Sequence, residues 1–194
     1  MLRVIVLAPL LAGCLDLDES HRVLISDSTT NVTDMATSEV YDDLYDFSTA
    51  THLAGTPDAF TVSGVVKNPW DDTGKAYATM TGHGGKVGDT VDFHLEITAT
   101  DWYDALWSTS LTGTISVDQH ASYGGHLISP ATVDTHIQAH LTMTRSFAGT
   151  HDVAIVACNR WVDDNPLYGY HGVVDGDPVS DHYEHNDPVC TVTP

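Results

Sequence analysis

Basic residues are scarce in this sequence. Seven Lys and Arg stand against 27 Asp and Glu, which gives a formal net charge of −20 at pH 7. A field of this sign repels the phosphates of nucleic acids and the surfaces of anionic lipids. The charge therefore argues against nucleic-acid binding and against electrostatic docking on a membrane, and it favours cationic partners. Such acidity is tolerated where concentrated salt screens the carboxylates or where divalent cations bind them.

Long apolar runs are also missing. The run over residues 4–11 is too short to cross a bilayer, although hydrophobic residues make up 42% of the 194-residue chain. That fraction is too high for a disordered protein and suits a single folded domain. We expect an export signal over residues 1–13, an acidic spacer over 14–58 and a β-domain with a stapled C-terminal loop over 59–194.

The N-terminus has the layout of an export signal. Arg3 precedes the apolar run, and small residues follow it before Cys14. The tetrapeptide Leu11-Ala12-Gly13-Cys14 resembles the lipobox of prokaryotic lipoproteins, and the acid-rich composition resembles that of proteins from salt-loving microbes. The lipobox resemblance implies cleavage before Cys14, lipid on its sulfur and an extracytoplasmic, membrane-anchored protein. An ordinary secretion signal or a buried N-terminal strand is the alternative that the residues leave open.

Cysteines are few, and their number fits this interpretation. Lipid on Cys14 leaves Cys158 and Cys190, an even pair that would form a disulfide in an oxidising compartment. Such a bond would close a loop of about thirty residues and contribute about 3 to 4 kcal/mol. Two buried free thiols are the alternative.

Alternation of apolar and polar residues dominates from residue 60 onward. The clearest segments are 91–98 and 133–143, and further strands are expected at 60–67, 75–81, 110–117, 126–129 and 152–158. Segment 62–68 resembles the opening strand of immunoglobulin-like modules in prokaryotic surface proteins. We predict an all-β fold, an immunoglobulin-like antiparallel β-sandwich with one short N-terminal helix over 38–47 and a glycine turn at 82–85.

The acidic C-terminal segment is the best candidate for a metal site. Carboxylates there would suit calcium, and two histidines with a carboxylate would suit zinc. The candidate ligands are Asp175, Asp177, Asp181, His182, Glu184 and His185. No established ligand spacing is present, so a solvated acidic loop is the alternative. His136 and His140 are expected on one strand, about 13 Å apart, too far to share a zinc ion.

No sequence motif for catalysis is found. A nucleophile elbow, a metalloprotease helix motif and a Cys–His pair at a suitable spacing are all missing. Asn31 begins a glycosylation sequon, and the aromatic residues near 102–107 and 161–170 would either line a ligand-binding edge or fill the core. We predict a noncatalytic cell-surface lipoprotein for adhesion, scaffolding or ligand binding, with an unknown surface protein or ligand as partner and without a cofactor. A divalent-metal-binding extracytoplasmic protein is the alternative.

Overall fold

One helix and nine strands make up the described part of the chain. The structure is a computed structural model, and it describes residues 18–124, 130–162 and 165–183. A single 3₁₀ turn, Arg145–Phe147, precedes the seventh strand. The elements are α1 (Glu19–Tyr45), β1 (Leu53–Thr56), β2 (Ala59–Lys67), β3 (Tyr77–Val87), β4 (Thr90–Asp104), β5 (Thr109–Ser122), β6 (Thr132–Met143), β7 (Gly149–Val162), β8 (Asn165–Val174) and β9 (Asp177–Tyr183).

The strands form one antiparallel sheet in which each strand pairs with the next along the chain, in the order β1 to β9. Register aligns apolar positions across the sheet. Leu95 lies opposite Val117, Val117 opposite Ile137, and Ile137 opposite Ile155. Because side chains alternate between faces along a strand, this register places one continuous apolar face on the core.

Helix α1 packs on that apolar face. It contacts β1 to β4 and also β7 to β9, so the sheet curves around it. Ile25, Val32, Ala36 and Val40 of the helix are fully buried within the same core cluster as residues of the strands. Tyr170 of β8 donates hydrogen bonds from its hydroxyl to the Val23 carbonyl (3.1 Å) and to Asp27 Oδ1 (3.0 Å). Within the described ranges, no helix is long and apolar enough to cross a membrane.

The composition of α1 is unusual for a buried helix. Six of its buried side chains are hydroxyls of Ser or Thr: Ser26, Ser28, Thr29, Thr30, Thr33 and Thr37. Thr29 donates to the Ile25 carbonyl (2.8 Å) and Thr33 to the Thr29 carbonyl (3.0 Å), so these two hydroxyls are satisfied within the helix, whereas the buried hydroxyls of Ser26 and Ser28 have no hydrogen-bond partner among the described residues. Thr is a poor helix former. Packing against the sheet must therefore supply most of the stability of α1.

The prediction of an antiparallel β-fold with one N-terminal helix is confirmed. Immunoglobulin-like topology is not confirmed, because the strands pair consecutively in one sheet. The helix is not short: it runs for 27 residues from Glu19 to Tyr45, whereas only 38–47 was expected. Since α1 and β1 belong to the common core, the boundary expected at residue 58 does not separate a spacer from the domain.

The glycine turn predicted at 82–85 is wrong, because these residues lie inside β3. A Cβ on Gly82 would collide with the His94 carbonyl and crowd the side chain of Leu95, so this glycine allows two strands to approach closely. The turn lies at Gly88 and Asp89, where Gly88 has φ +61°. Gly at the first position of a two-residue hairpin turn is typical of type II′.

Strands β8 and β9 were expected to be a loop. They are joined by Asp175 and Gly176, which have φ +53° and +87° as a type I′ turn requires. The strand expected at 126–129 lies outside the described residues.

Candidate ligand-binding cleft

A stripe of exposed and half-buried polar residues runs along one side of α1. Asp27, Asn31, Asp34, Ser38 and Tyr41 are spaced by alternating steps of four and three residues. This spacing places them on one face of a helix. The stripe borders two cavities that lie between α1 and the neighbouring strands and loops, and together we call these cavities the α1 cleft.

The first, which we call the inner cavity, has a volume of about 320 Å³ and lies between α1 and strands β5 to β8. Its lining includes Asp34 and Tyr41 of α1, Gln119 of β5, Thr135 of β6 and Asn159 of β7. Gln119 and Thr135 are directly paired across the sheet. Both occupy inward positions, where Val117 and Ile137 supply the core two residues away. The apolar face of the sheet therefore becomes polar at this end.

Three side-chain oxygens of residues that line the inner cavity are buried without a hydrogen-bond partner among the described residues. They are the Tyr41 hydroxyl, Gln119 Oε1 and Asn159 Oδ1. The Gln119 side chain is only 7% exposed. A buried polar atom without a partner costs about 1 to 3 kcal/mol, so native proteins rarely keep one without a reason. Three such atoms belong to residues of this one cavity, whereas the other three among the described residues, Ser26 Oγ, Ser28 Oγ and Trp102 Nε1, belong to residues that do not line it.

The second, which we call the outer cavity, has a volume of about 360 Å³ and shares Asp34 and Tyr168 with the inner one. Asp27 and Asn31 of α1 form one wall, and Trp70 and Trp107 form the other. Trp70 is 38% exposed, although it is a large aromatic side chain. Carboxylates and aromatic rings thus border the same space.

The two loops that carry these tryptophans are fixed by side-chain to backbone hydrogen bonds. Asn68 donates from Nδ2 to the Tyr103 carbonyl (2.8 Å) and accepts from the Trp70 N–H at Oδ1 (2.9 Å). Asp104 accepts the Leu106 N–H at Oδ1 (2.9 Å) and an Asn31 N–H at Oδ2 (3.4 Å). The outer cavity is therefore built on ordered loops that are tied to each other and to α1.

Asp71 stabilises the first of these loops. Its carboxylate accepts backbone N–H groups from Thr73 (2.9 Å), Lys75 (2.7 Å) and Ala76 (2.6 Å). Hydrogen bonds from the Ala76 backbone, from Thr73 and from Lys75 lower the pKa of Asp71 to about 2. Because these bonds favour the ionised form, Asp71 stays charged and holds the loop throughout the neutral range.

Asp34 lies where the two cavities meet. Solvent reaches its side chain, yet the carboxylate is closely surrounded by protein atoms, and this desolvation raises its pKa to about 7. No hydrogen bond or ion pair from its carboxylate to another described residue offsets the cost. Burial also raises the pKa of Tyr41, and the charges of Tyr123 and Asp92 add to the shift. Perturbed titration of this kind is a feature of functional sites.

The opposite, solvent-facing side of the sheet carries histidine–carboxylate pairs. His94 lies between Asp118 (2.8 Å from Nδ1) and Glu96 (3.1 Å from Nε2), and the hydrogen bond to Asp118 is the main cause of its raised pKa. His120 contacts Asp92, and His140 contacts Asp152, each at 2.6 Å. A depression of about 460 Å³ lies over part of this surface. Each of these rings is already paired with a carboxylate in its own sheet.

The metal ligands expected in the C-terminal segment are not brought together among the described residues. Asp175 accepts the Asp152 N–H (2.8 Å) and contacts His151, whereas Asp177 lies 3.9 Å from Arg22. The side chains of Asp181 and His182, and all of Glu184 and His185, lie outside the described residues. In the described ranges no group of three His, Cys, Asp or Glu side chains is arranged to hold a metal ion.

The remaining site predictions have mixed outcomes. Cys14 and Cys190 lie outside the described residues and Cys158 is buried in β7, so the lipid and the disulfide stay predictions. Asn31 lies within α1 rather than on an exposed segment, with its side-chain amide directed to Asp104, and its glycosylation stays a prediction. His136 and His140 lie on β6, as expected.

The aromatic residues divide between the two roles considered from the sequence. Trp102 and Tyr170 are fully buried in the core. Trp107 and Tyr168 are partly buried and line the outer cavity. Tyr103 packs under Arg145, whose guanidinium carbon lies 5.3 Å from the ring centroid. The side chain of Trp161 lies outside the described set.

Sequence reasoning missed the cleft, although two signals pointed to it. Gln119 stands at an inward position of a strand, between Val117 and Ala121, where an apolar residue is the rule. The stripe from Asp27 to Tyr41 has helical spacing but consists of polar residues, so a search for apolar periodicity passes over it. Comparison of the chain with models of known protein families, with curated proteins and with solved structures found no match.

Proposed function

We propose that this chain is an exported, noncatalytic binding protein of the cell surface, which takes up a small polar ligand in the α1 cleft. The observation that carries the proposal is the inner cavity with its three partnerless oxygens on Tyr41, Gln119 and Asn159. Cavities of about 300 to 1,000 Å³ with a few convergent polar groups are typical of small-molecule sites. The inner and outer cavities, at about 320 and 360 Å³, fall in this range.

The location rests on the N-terminal sequence. We propose that Cys14, at the end of the lipobox-like Leu11-Ala12-Gly13-Cys14, carries the lipid that holds the protein outside the membrane. The net charge of −20 supports this, because electrostatic attraction would not hold so acidic a protein on an anionic surface. Mass spectrometry of the mature N-terminus tests it, with Cys14→Ser as control. An unmodified thiol, or unchanged membrane partitioning of the variant, would refute the anchor.

Binding is tested by blocking the cleft. Ser38 lies on the exposed stripe of α1 and lines the inner cavity, so Ser38→Trp should fill the mouth without disturbing the core. Asp42→Trp, one turn further along the same helix at an exposed position, is the matched control. Thermal shifts are measured with small amines, sugars and carboxylates. We expect at least one compound to stabilise the wild type and the Asp42 variant but not the Ser38 variant.

The partnerless state of Gln119 has a test of its own. Replacing it by Met removes the buried amide but keeps the length of the side chain, so the ligand-free protein should be as stable as the wild type or more stable. Gln138→Met, at an exposed position of β6, should change the free energy of unfolding by less than about 0.5 kcal/mol. A loss above about 2 kcal/mol in the Gln119 variant would show that its amide is satisfied by the fold, and it would refute the proposal.

A further inference from the structure

The chemistry of the α1 cleft limits the class of ligand. Asp27, Asp34, Tyr41, Gln119 and Asn159 all line its two cavities and carry side-chain oxygens. Among the described lining residues of either cavity there is no Lys, Arg or His. Carboxylates accept hydrogen bonds and do not donate them when ionised. Because the ionisable acids of the lining are carboxylates and no basic residue offsets them there, the site carries negative charge, and a ligand with positive charge and hydrogen-bond donors suits it best.

The aromatic residues strengthen this conclusion. Trp70, Trp107 and Tyr168 border the outer cavity together with Asp27 and Asp34. The faces of Trp and Tyr rings attract organic cations, and this attraction is strongest where water is partly excluded. A net charge of −20 adds a field that draws cations to the surface. An anionic ligand would meet repulsion from both, and a neutral sugar would bring no positive charge to the site.

The acceptors are spread along the cleft rather than gathered at one point. Asp27 and Asp34 are seven residues apart on α1, which corresponds to about 10 Å along the helix axis. Gln119 and Asn159 belong to β5 and β7 with β6 between them, so their backbones lie at least about 10 Å apart. A single ammonium group cannot satisfy acceptors this far apart. Because Asp34 and Tyr168 line both cavities, one elongated molecule is able to occupy both.

Resting on the proposed binding function, we propose that the ligand of the α1 cleft is a linear aliphatic polyammonium, a molecule with at least two cationic nitrogens joined by methylene chains. One ammonium lies in the outer cavity beside Asp34, against Trp107 and Tyr168. A second donates its N–H groups to Gln119 Oε1 and its neighbours in the inner cavity. The methylene chain passes Tyr168, which borders both cavities.

A metal ion is a poorer occupant of the same site. Two carboxylates about 10 Å apart do not coordinate one ion, since calcium–oxygen distances are about 2.3 to 2.6 Å. The described residues also form no three-ligand group that would suit a metal. Gln119 Oε1, which is buried without a hydrogen-bond partner among the described residues, is the observation that distinguishes this site from a solvated acidic surface.

The test measures binding by isothermal titration calorimetry on the purified protein. The probes are putrescine and spermidine as di- and tri-cations, n-butylammonium as a single cation, glucose as a neutral polyol and glutarate as a dianion. We expect spermidine and putrescine to bind at least tenfold more tightly than n-butylammonium, and glucose and glutarate not to bind. Asp34→Asn should weaken spermidine binding at least tenfold, whereas Asp42→Asn, with the same loss of charge on the same helix, should change it less than twofold.

Binding should also depend on pH. The titratable groups that face Asp34 are Asp27 and Tyr41 of α1 and Tyr168 of β8, and no basic group lines the cleft among the described residues. Spermidine affinity should therefore rise about tenfold between pH 6 and pH 8 as Asp34 ionises, and this rise should be lost in Asp34→Asn.

Each other outcome has a definite meaning. If glucose or glutarate binds instead and Ser38→Trp abolishes the binding, the binding function stands and the polyammonium assignment is overturned. If n-butylammonium binds as well as putrescine, or if Asp34→Asn and Asp42→Asn weaken spermidine equally, attraction by net charge suffices and the assignment is also overturned. If no probe binds the wild type, both the assignment and the proposed function are contradicted.

Discussion

Asp34 should destabilise the ligand-free protein at neutral pH. Desolvation raises its pKa from 3.8 to about 7 in the folded state. The folded protein therefore binds more protons than the unfolded chain between about pH 4 and pH 7, and stability falls as the pH rises through this window. A shift of this size in a fully buried group would correspond to about 4 kcal/mol. Because solvent reaches Asp34, we expect about 1 kcal/mol instead.

Asp34→Asn should therefore make the protein more stable at pH 8, by about 1 kcal/mol or about 2 to 4 °C in Tm. The gain should be smaller at pH 5, where the wild-type carboxyl is protonated in the folded state. Urea unfolding at the two pH values measures this difference directly. Asp42→Asn removes the same charge from an exposed position of α1 and corrects for the general relief of a net charge of −20.

Two results would refute this reasoning. If Asp34→Asn is less stable than the wild type at pH 8, the carboxylate has partners that favour its ionised form. If both variants show the same gain at both pH values, net charge alone is responsible. Confirmation would show that Asp34 lowers the stability of the ligand-free protein. Binding sites commonly contain residues that lower stability in this way because their function requires them.

Three further substitutions test other features of the fold. Because the pKa of His94 is raised, its pairing with Asp118 stabilises the protein below about pH 6.5, and this contribution is lost as the pH rises through the folded-state pKa. His94→Gln should therefore lower the free energy of unfolding by up to about 1 kcal/mol at pH 5.5 and by little at pH 9, as measured by chemical denaturation. Gly82→Ala should lower the free energy of unfolding by more than about 2 kcal/mol, because the added Cβ collides with the neighbouring strand inside the sheet. Gly88→Ala has open space around it but a positive φ at the turn, so it should lower the free energy by about 1 kcal/mol. Equal effects of the two substitutions would contradict the strand register. If α1 is part of the core, Val32→Ala should lower the free energy of unfolding by about 2 kcal/mol, as measured by thermal unfolding. Truncation of Tyr45, which is exposed at the end of α1, should hardly change this free energy in the same measurement.

The strands were predictable because their core face alternates. Segments 60–67, 133–143 and 152–158 lie within β2, β6 and β7, and apart from half-buried Val133 the apolar residues at every second position are buried. The helix was harder to predict, because its buried surface includes hydroxyl groups that do not count as apolar in a periodicity. Ser26, Thr29 and Thr33 occupy positions where Leu or Ala would have revealed α1.

The α1 cleft was not predictable from the sequence, because its residues come from distant parts of the chain. Tyr41, Gln119 and Asn159 line one cavity only when the sheet has closed around α1, and no local spacing records that arrangement. The glycine turn illustrates a different cause of error. The glycines at 82–85 suggest a turn because glycine has greater backbone freedom than other residues. In the fold, however, Gly82 is needed because it has no side chain to collide with the neighbouring strand.

The consecutive order of the strands has a consequence for how the chain folds. Every strand pairs with its neighbour in sequence, so each hairpin closes a short loop, and the sheet can grow one strand at a time. Helix α1 is the exception: it packs on β1 to β4 and also on β7 to β9, so its contacts are complete only when the last strands have formed. A segment that forms a helix poorly on its own and is polar over much of its surface can stay exposed to water before docking without aggregating. We expect docking of α1 to be the last step of folding and the opening of this contact to be the first step of unfolding.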